Sequence, residues 1–348
     1  MTEASDPEDP SPPAPDPATD GLSSPAAPTE PISRYLGLTA FTIEGRRAPA
    51  LFVVGWVATI IGIGLTATVA FGTTGLAAAV LSLASSLALS IGLVMLAGSQ
   101  TIERKAAGAA YAGPSPLLVL IAIVAVSRLV GFVVGVALLP VADQIPVEVG
   151  DLLGVLLQAG VFFAIVRLTI VGPGVVRWSE MGWVGDRAAA LRGLWGGVIF
   201  AGPLILVTAV LVAIAVNAAG AAPPSPLPPT GTVSGLLLHL LAGAVVAPVA
   251  EEMLFRGFAL TAWRRLVGVR GAILRSSIVF VLAHVLFVSG DTFGETVRIA
   301  LVAGIVRVPV AFVLGWLYVR TGSIWGPIGL HAGFNGILIV LAEAAAGA

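Results

Sequence analysis

Three short runs in the last third of the sequence place ionisable side chains within apolar stretches. APVAEEMLFRG carries Glu251, Glu252 and Arg256, SSIVFVLAHVLF carries His284, and SIWGPIGLHAGFN carries His331 and Asn335. An ionisable group at the centre of a bilayer costs about 2.5–3.5 kcal/mol on insertion scales, so each is a candidate for function. Glu252 and Arg256 stand four residues apart, share a helix face and can pair. Glu251 lies about 100° round the helix from that face, free to meet another helix. An inert ion pair would account for Glu252 and Arg256, but it leaves a second, adjacent carboxylate unexplained. A lone intramembrane histidine is usually a polar contact between helices. Two histidines, an asparagine and two glutamates on three spans form a constellation suited to activating water or moving protons.

The elements that must carry these residues are membrane helices. The chain has 348 residues, 57% of them hydrophobic and only 11% charged, with a mean hydropathy of +1.01. Soluble domains run to about 45–50% apolar and about 25% charged, so a soluble enzyme and a nucleic-acid-binding protein are both excluded. No cysteine is present, which removes disulfides, thiolate metal sites and a cysteine nucleophile. Apolar stretches of about 20 residues, the length that crosses a hydrocarbon core of about 30 Å, recur at 50–71, 74–98, 116–140, 151–172, 192–217, 233–260, 272–290, 297–319 and 324–345. The expected fold is therefore all-α, a polytopic bundle of nine spans, or eight if the first does not cross. Pro248, three residues before Glu251, should bend or open its helix.

Charge between the spans fixes an orientation. Connectors rich in arginine (Arg46 and Arg47, Arg104 and Lys105, Arg177 and Arg187, Arg264 to Arg270, Arg320) alternate with connectors that carry no base. By the positive-inside rule this places the N-terminus in the cytoplasm, with integral membrane localisation in a bacterial plasma membrane expected. Measured along the helices from the cytoplasmic ends at about 1.5 Å per residue, Glu251, His284 and His331 lie roughly 20, 18 and 11 Å deep. All three fall in the middle-to-cytoplasmic half. Residues 1–33 hold seven of the 19 acidic residues and none of the 18 basic ones. This acidic, Pro- and Ala-rich segment buries too little to fold and should be a disordered tail. The chain divides accordingly into the tail (1–33), five N-terminal spans (34–232) and four spans bearing the constellation (233–345). His239 is expected at the interface. Arg128 and Arg307 fall mid-span; they pair with the spare carboxylate, line a polar cavity or, most plainly, bond backbone carbonyls or snorkel.

Read as Glu-Glu-x-x-x-Arg, Phe-x-x-x-His and His-x-x-x-Asn, in this order on separate spans, these motifs resemble the CPBP family of CAAX prenyl endoproteases and bacteriocin-processing or immunity proteins. The segment LGWLYVRTGSIWGPIGLHAGFN carries the same likeness. The resemblance covers roughly 240–340 and implies an intramembrane endopeptidase. It places Glu251, Glu252, Arg256, His284, His331 and Asn335 at the family's motif positions. Members in eukaryotes cleave three residues from a prenylated Cys-a-a-X terminus, a specificity that does not transfer with the motifs.

Peptide hydrolysis needs an activated water and hydrogen-bond donors for the oxyanion. A carboxylate in a low-dielectric pocket suits the general base near neutral pH. Glu251, with His284, is assigned to polarise the water, Arg256 to hold Glu252, and Asn335 with His331 to stabilise the oxyanion. No cofactor is expected. A zinc ion on Glu251, His284 and His331 is the alternative, against which stands the missing His-Glu-x-x-His signature. Expected partners are membrane lipid and a peptide or protein substrate, a lipidated C-terminus being one option. The rival reading is non-enzymatic: an immunity factor or scaffold, or a proton-coupled transporter. No second copy of the pattern occurs in 50–230, whereas transporters often repeat their halves.

Overall fold

The computed structural model describes residues 47–183, 185–220, 227–286 and 288–346. The acidic tail lies outside them. Every regular element among the described residues is helical, and eight helices are long and apolar enough to cross a membrane. Helices α1 (Pro49–Ala70), α2 (Gly75–Ala106), α3 (Pro116–Leu138), α4 (Val147–Val166) and α5 (Arg187–Ala219) match the first five expected spans within a few residues, except that α2 runs on through Arg104. The sixth apolar run, Val233–Val285, is 53 residues long. It comprises α6 (Val233–His239), α7 (Ala247–Glu252) and α8 (Thr261–Val285), with π-helical turns at Leu240–Val246 and Met253–Leu260 between them. Helices α9 (Phe293–Thr321) and α10 (Trp325–Ala346) complete the bundle.

A straight helix of 53 residues would measure about 80 Å, far beyond a hydrocarbon core of about 30 Å. Gly268 breaks it, with φ 74° and ψ 178°, a conformation essentially confined to glycine. The two arms then fold back on each other. Ser276 Oγ donates to the Phe255 carbonyl at 3.0 Å, and the rings of Phe255 and Phe280 meet edge to face at 5.2 Å. The single apolar run thus makes two passes, which with the seven other long helices gives nine passes among the described residues. The connector expected at 261–271 is helical on both sides of one glycine, because a single φ/ψ reversal suffices to turn the chain.

The two ends differ in charge. At one, Arg104 donates to the Gly113 carbonyl at 2.6 Å, Lys105 to the Pro173 carbonyl at 2.6 Å and Arg265 to Glu180 at 2.6 Å. Trp178, Trp183 and Trp325 form an edge-to-face chain beside them, as aromatic belts do at a membrane interface. At the other end, Asp151, His239 and Glu343 gather. Large apolar side chains point outward along the helices, Ile60, Ile199 and Leu206 among them, which suits lipid rather than water. Buried residues of α3, α4 and α5 share one core with those of α7 to α10, while α1 and α2 pack a smaller cluster against α3. Backbones approach most closely between α5 and α10. A Cβ added to Gly329 would sit 2.0 Å from the Leu194 carbonyl oxygen, so only glycine fits there.

Candidate active site

Local helix geometry sets the glutamates. Pro248 has no N–H to give to the preceding turn, and the helix widens into the Leu240–Val246 π turn just before it. In π register the carbonyl left without a donor is that of Gly243. Asn335 Nδ2 supplies one at 2.9 Å. A second π turn, Met253–Leu260, follows Glu252 directly. The helix opens as Pro248 implied, by widening. Such turns are rare and concentrate at functional sites, and here one flanks each side of the Glu251–Glu252 pair.

Glu252 and Arg256 are fully buried. Arg256 Nη1 donates to Glu252 Oε1 at 2.9 Å and Nη2 donates to the Ala311 carbonyl on α9 at 3.2 Å. The guanidinium also lies 4.4 Å from the centre of the Phe280 ring, a cation–π contact strengthened by exclusion of water. Glu252 Oε1 has a second partner, His331 Nδ1 on α10 at 2.8 Å. One carboxylate oxygen therefore ties α7 to α10.

Glu251 faces away from that pair, as the 100° offset requires. Its Oε2 lies 3.6 Å from His284 Nε2 and 3.9 Å from His331 Nε2. These separations are too long for direct hydrogen bonds and short enough for one small molecule to bridge. Glu251 Oε2 is buried without a hydrogen-bond partner among the described residues, a condition that calls for a catalytic role or a bound water or ion to account for it. The far ring nitrogens are fixed. His284 Nδ1 is 2.8 Å from the Phe280 carbonyl, which only accepts, so Nδ1 carries the hydrogen. His331 Nδ1 likewise donates to Glu252 beside Arg256. In the neutral tautomers both histidines present a bare Nε2 to the same glutamate oxygen. A small cavity of about 10 Å³ adjoins Glu251, close to the space one water needs.

The structure thus brings Glu251, His284 and His331 together and places Glu252 and Arg256 behind them. Asn335 joins through the Gly243 carbonyl. The three potential zinc ligands converge, but the oxygen–nitrogen separations of 3.6 and 3.9 Å exceed the edge of about 3.3 Å in a tetrahedron with 2.0–2.1 Å bonds. No group of three or more His, Asp or Glu among the described residues is spaced to hold a metal ion. Arg307 takes the plainer course, donating to the Ala303 carbonyl at 2.9 Å, yet it stays within electrostatic reach of Glu251 and His284. Arg128 lines a cavity of about 560 Å³.

Two features escaped the sequence reading. Phe280 is a hub, its ring meeting those of Phe255, His284 and His331 as well as Arg256; its four-residue spacing from His284 was the available signal. His239, at one end of the bundle, is buried rather than exposed: it is 1% exposed, with Nε2 3.3 Å from Asp151 Oδ2 and Nδ1 3.5 Å from Glu343 Oε1. These carboxylates lie 88 positions before and 104 after it in the chain, and no local spacing announces them.

Residues 233–337 match the family model described as Type II CAAX prenyl endopeptidase Rce1-like. The matched segment begins at α6 and ends just past Asn335, so it holds all six residues of the site. No curated protein and no solved structure matches the chain.

Proposed function

We propose that the chain is an intramembrane endopeptidase that hydrolyses peptide bonds of membrane-associated substrates with a water activated by Glu251. The observation that carries this reading is the convergence of two imidazole Nε2 atoms on one unpartnered, buried carboxylate oxygen. A carboxylate and two bare ring nitrogens are three acceptors round one point. They suit a species with hydrogens to give, such as water.

In the proposed reaction, water in the gap donates to Glu251 Oε2 and to His284 Nε2. Glu251 takes one proton as the oxygen attacks the peptide carbonyl carbon. The amide hydrogen of Asn335 not given to Gly243 stabilises the oxyanion, and neutral His331, its Nδ1–H held by Glu252, lines the other side of the gap with its bare Nε2. Donors of this kind are worth about 10²–10³ in rate. Glu251 then passes its proton to the departing amine nitrogen as the C–N bond breaks, which leaves one carboxylic acid and one amine. Arg256 holds Glu252 in place. The spacing of the three ligand candidates supports a metal-free route over a zinc one.

The test is Glu251→Gln. Membranes from cells with the wild-type and the variant protein are compared by terminal proteomics; precursor forms accumulate with the variant while its own abundance holds. Unchanged termini would reject the protease reading in favour of a scaffold or carrier. Activity of the purified protein in the presence of a chelator, with no metal by elemental analysis, is expected; loss with zinc-dependent recovery would replace the metal-free route.

A further inference from the structure

Glu251 and Glu252 place two carboxylates side by side among apolar helices, and one cation answers them directly. Arg256 Nη1 donates to Glu252 at 2.9 Å and Nη2 to the Ala311 carbonyl at 3.2 Å, so that guanidinium is committed. Glu251 Oε2 has no hydrogen-bond partner among the described residues. A buried charge with no counter-charge is unfavourable, so a second cation has to come from another element. Helix α9 carries one, Arg307.

Three observations place Arg307 at the site. Counted from Arg320 at about 1.5 Å per residue, it lies roughly 20 Å from the arginine-rich end, the same depth as Glu251 counted from Arg264. Ala303, Arg307 and Ala311 stand at successive four-residue steps and share one face of α9. Ala303 and Ala311 are fully buried, and the Ala311 carbonyl is the one that Arg256 touches. Beside Ala303, a Cβ added to Gly304 would meet Val281 and Val285 at 3.7 and 3.8 Å, residues that bracket His284 in α8. The half-buried Arg307 is accordingly within electrostatic reach of both Glu251 and His284. Its one hydrogen bond among the described residues runs from Nη1 to the Ala303 carbonyl, which leaves Nε and Nη2 uncommitted.

In the proposed reaction one negative charge starts on Glu251 and passes to the peptide oxygen, while Glu252 and Arg256 cancel and both histidines stay neutral. A guanidinium keeps its charge in a protein, so Arg307 balances that negative charge at both ends of its path. Resting on the protease reading, we infer that Arg307 is a positioning residue: from α9 it supplies the counter-charge for the negative charge that moves from Glu251 to the peptide oxygen. Fixed charge set beside the point where new charge develops acts strongly where water is excluded.

The test uses the full-length protein in phosphatidylcholine nanodiscs, with cleavage followed on a peptide that spans the junction found by terminal proteomics. Arg307→Gln should lower kcat about 10²-fold and leave KM within about twofold, with the melting temperature unchanged. Arg307→Lys, which keeps the charge, should recover most of the rate. A second readout needs no cleavage. In Glu251→Gln the guanidinium has lost its negative partner, so formate should bind in its place and raise the melting temperature, whereas neutral formamide should not. Glu251→Gln combined with Arg307→Gln should lose the response to formate, and combined with Arg307→Lys should keep it. A formate response that is absent from Glu251→Gln, or that survives Arg307→Gln, overturns the inference, as does a rate that Arg307→Lys fails to restore. A formate response that depends on Arg307, in a protein that cleaves nothing, sinks the protease reading and leaves the counter-charge standing; cleavage at the wild-type rate by Arg307→Gln does the reverse.

Discussion

Glu252 and His331, 79 positions apart in the chain, meet at 2.8 Å between Oε1 and Nδ1. The same oxygen accepts from Arg256 at 2.9 Å. A buried ion pair with one partner removed leaves an uncompensated charge, which costs about 3–5 kcal/mol. Glu252→Gln should therefore lower folded yield and melting temperature sharply. Glu252→Gln combined with Arg256→Met should restore much of the stability without restoring cleavage. Thermal unfolding in detergent and peptide cleavage, measured together, check this; recovered cleavage in the double variant would show that the pair is only structural.

Glu251 makes no direct hydrogen bond through Oε2, so Glu251→Gln should leave the melting temperature within about a degree of wild type. Turnover should fall by about 10²–10⁴, the usual range for loss of a general base. A parallel drop in stability would move Glu251 into the scaffold.

Helix α10 delivers His331 and Asn335 only because it lies against the α5 backbone. Gly329→Val should abolish folding, given the 2.0 Å approach of a Cβ to the Leu194 carbonyl oxygen. Gly336→Ala, where the nearest atom is 3.5 Å away, should be tolerated. Size-exclusion profiles of the two variants separate these outcomes.

The Asp151–His239–Glu343 cluster joins α4, α6 and α10 about three helical turns from Glu251. Removing the imidazole leaves two carboxylates facing an emptied, buried position. His239→Ala should destabilise by about 1–3 kcal/mol with kcat near wild type, read from chemical unfolding and initial rates. A selective loss of kcat would make the cluster part of the reaction.

At the arginine-rich end, the backbone N–H of Arg177 holds the Glu180 carboxyl below the usual carboxylate range, with Arg265 and Arg177 adding to the effect and burial opposing it. A carboxylate lowered in the folded state contributes stability above its unfolded value, near pH 4.5, and loses it as the pH falls further. The melting temperature should decline below about pH 4.5, and Glu180→Gln should flatten that decline.

The apolar period made the bundle legible, because lipid demands long helices. Motif spacing likewise announced Glu251, His284 and His331. Their meeting depends on Gly268, one residue among 42 glycines, whose backbone angles no local pattern betrays. The partners of Glu252 and His239 come from helices distant in sequence. The second task of Asn335, holding the Gly243 carbonyl, follows from a π register that Pro248 hinted at but did not specify.

Each widened turn beside the glutamates holds one residue more than the i→i−4 ladder would. Closing the 240–246 stretch into a regular helix with all its residues kept would swing Glu251 about 100° away from both imidazoles, with every side chain of the site still present. The reactivity of this region is thus written in the register of its backbone as much as in residue identities, and a chain that kept all six motif positions but wound this turn as a regular helix would be expected to fold and remain inert.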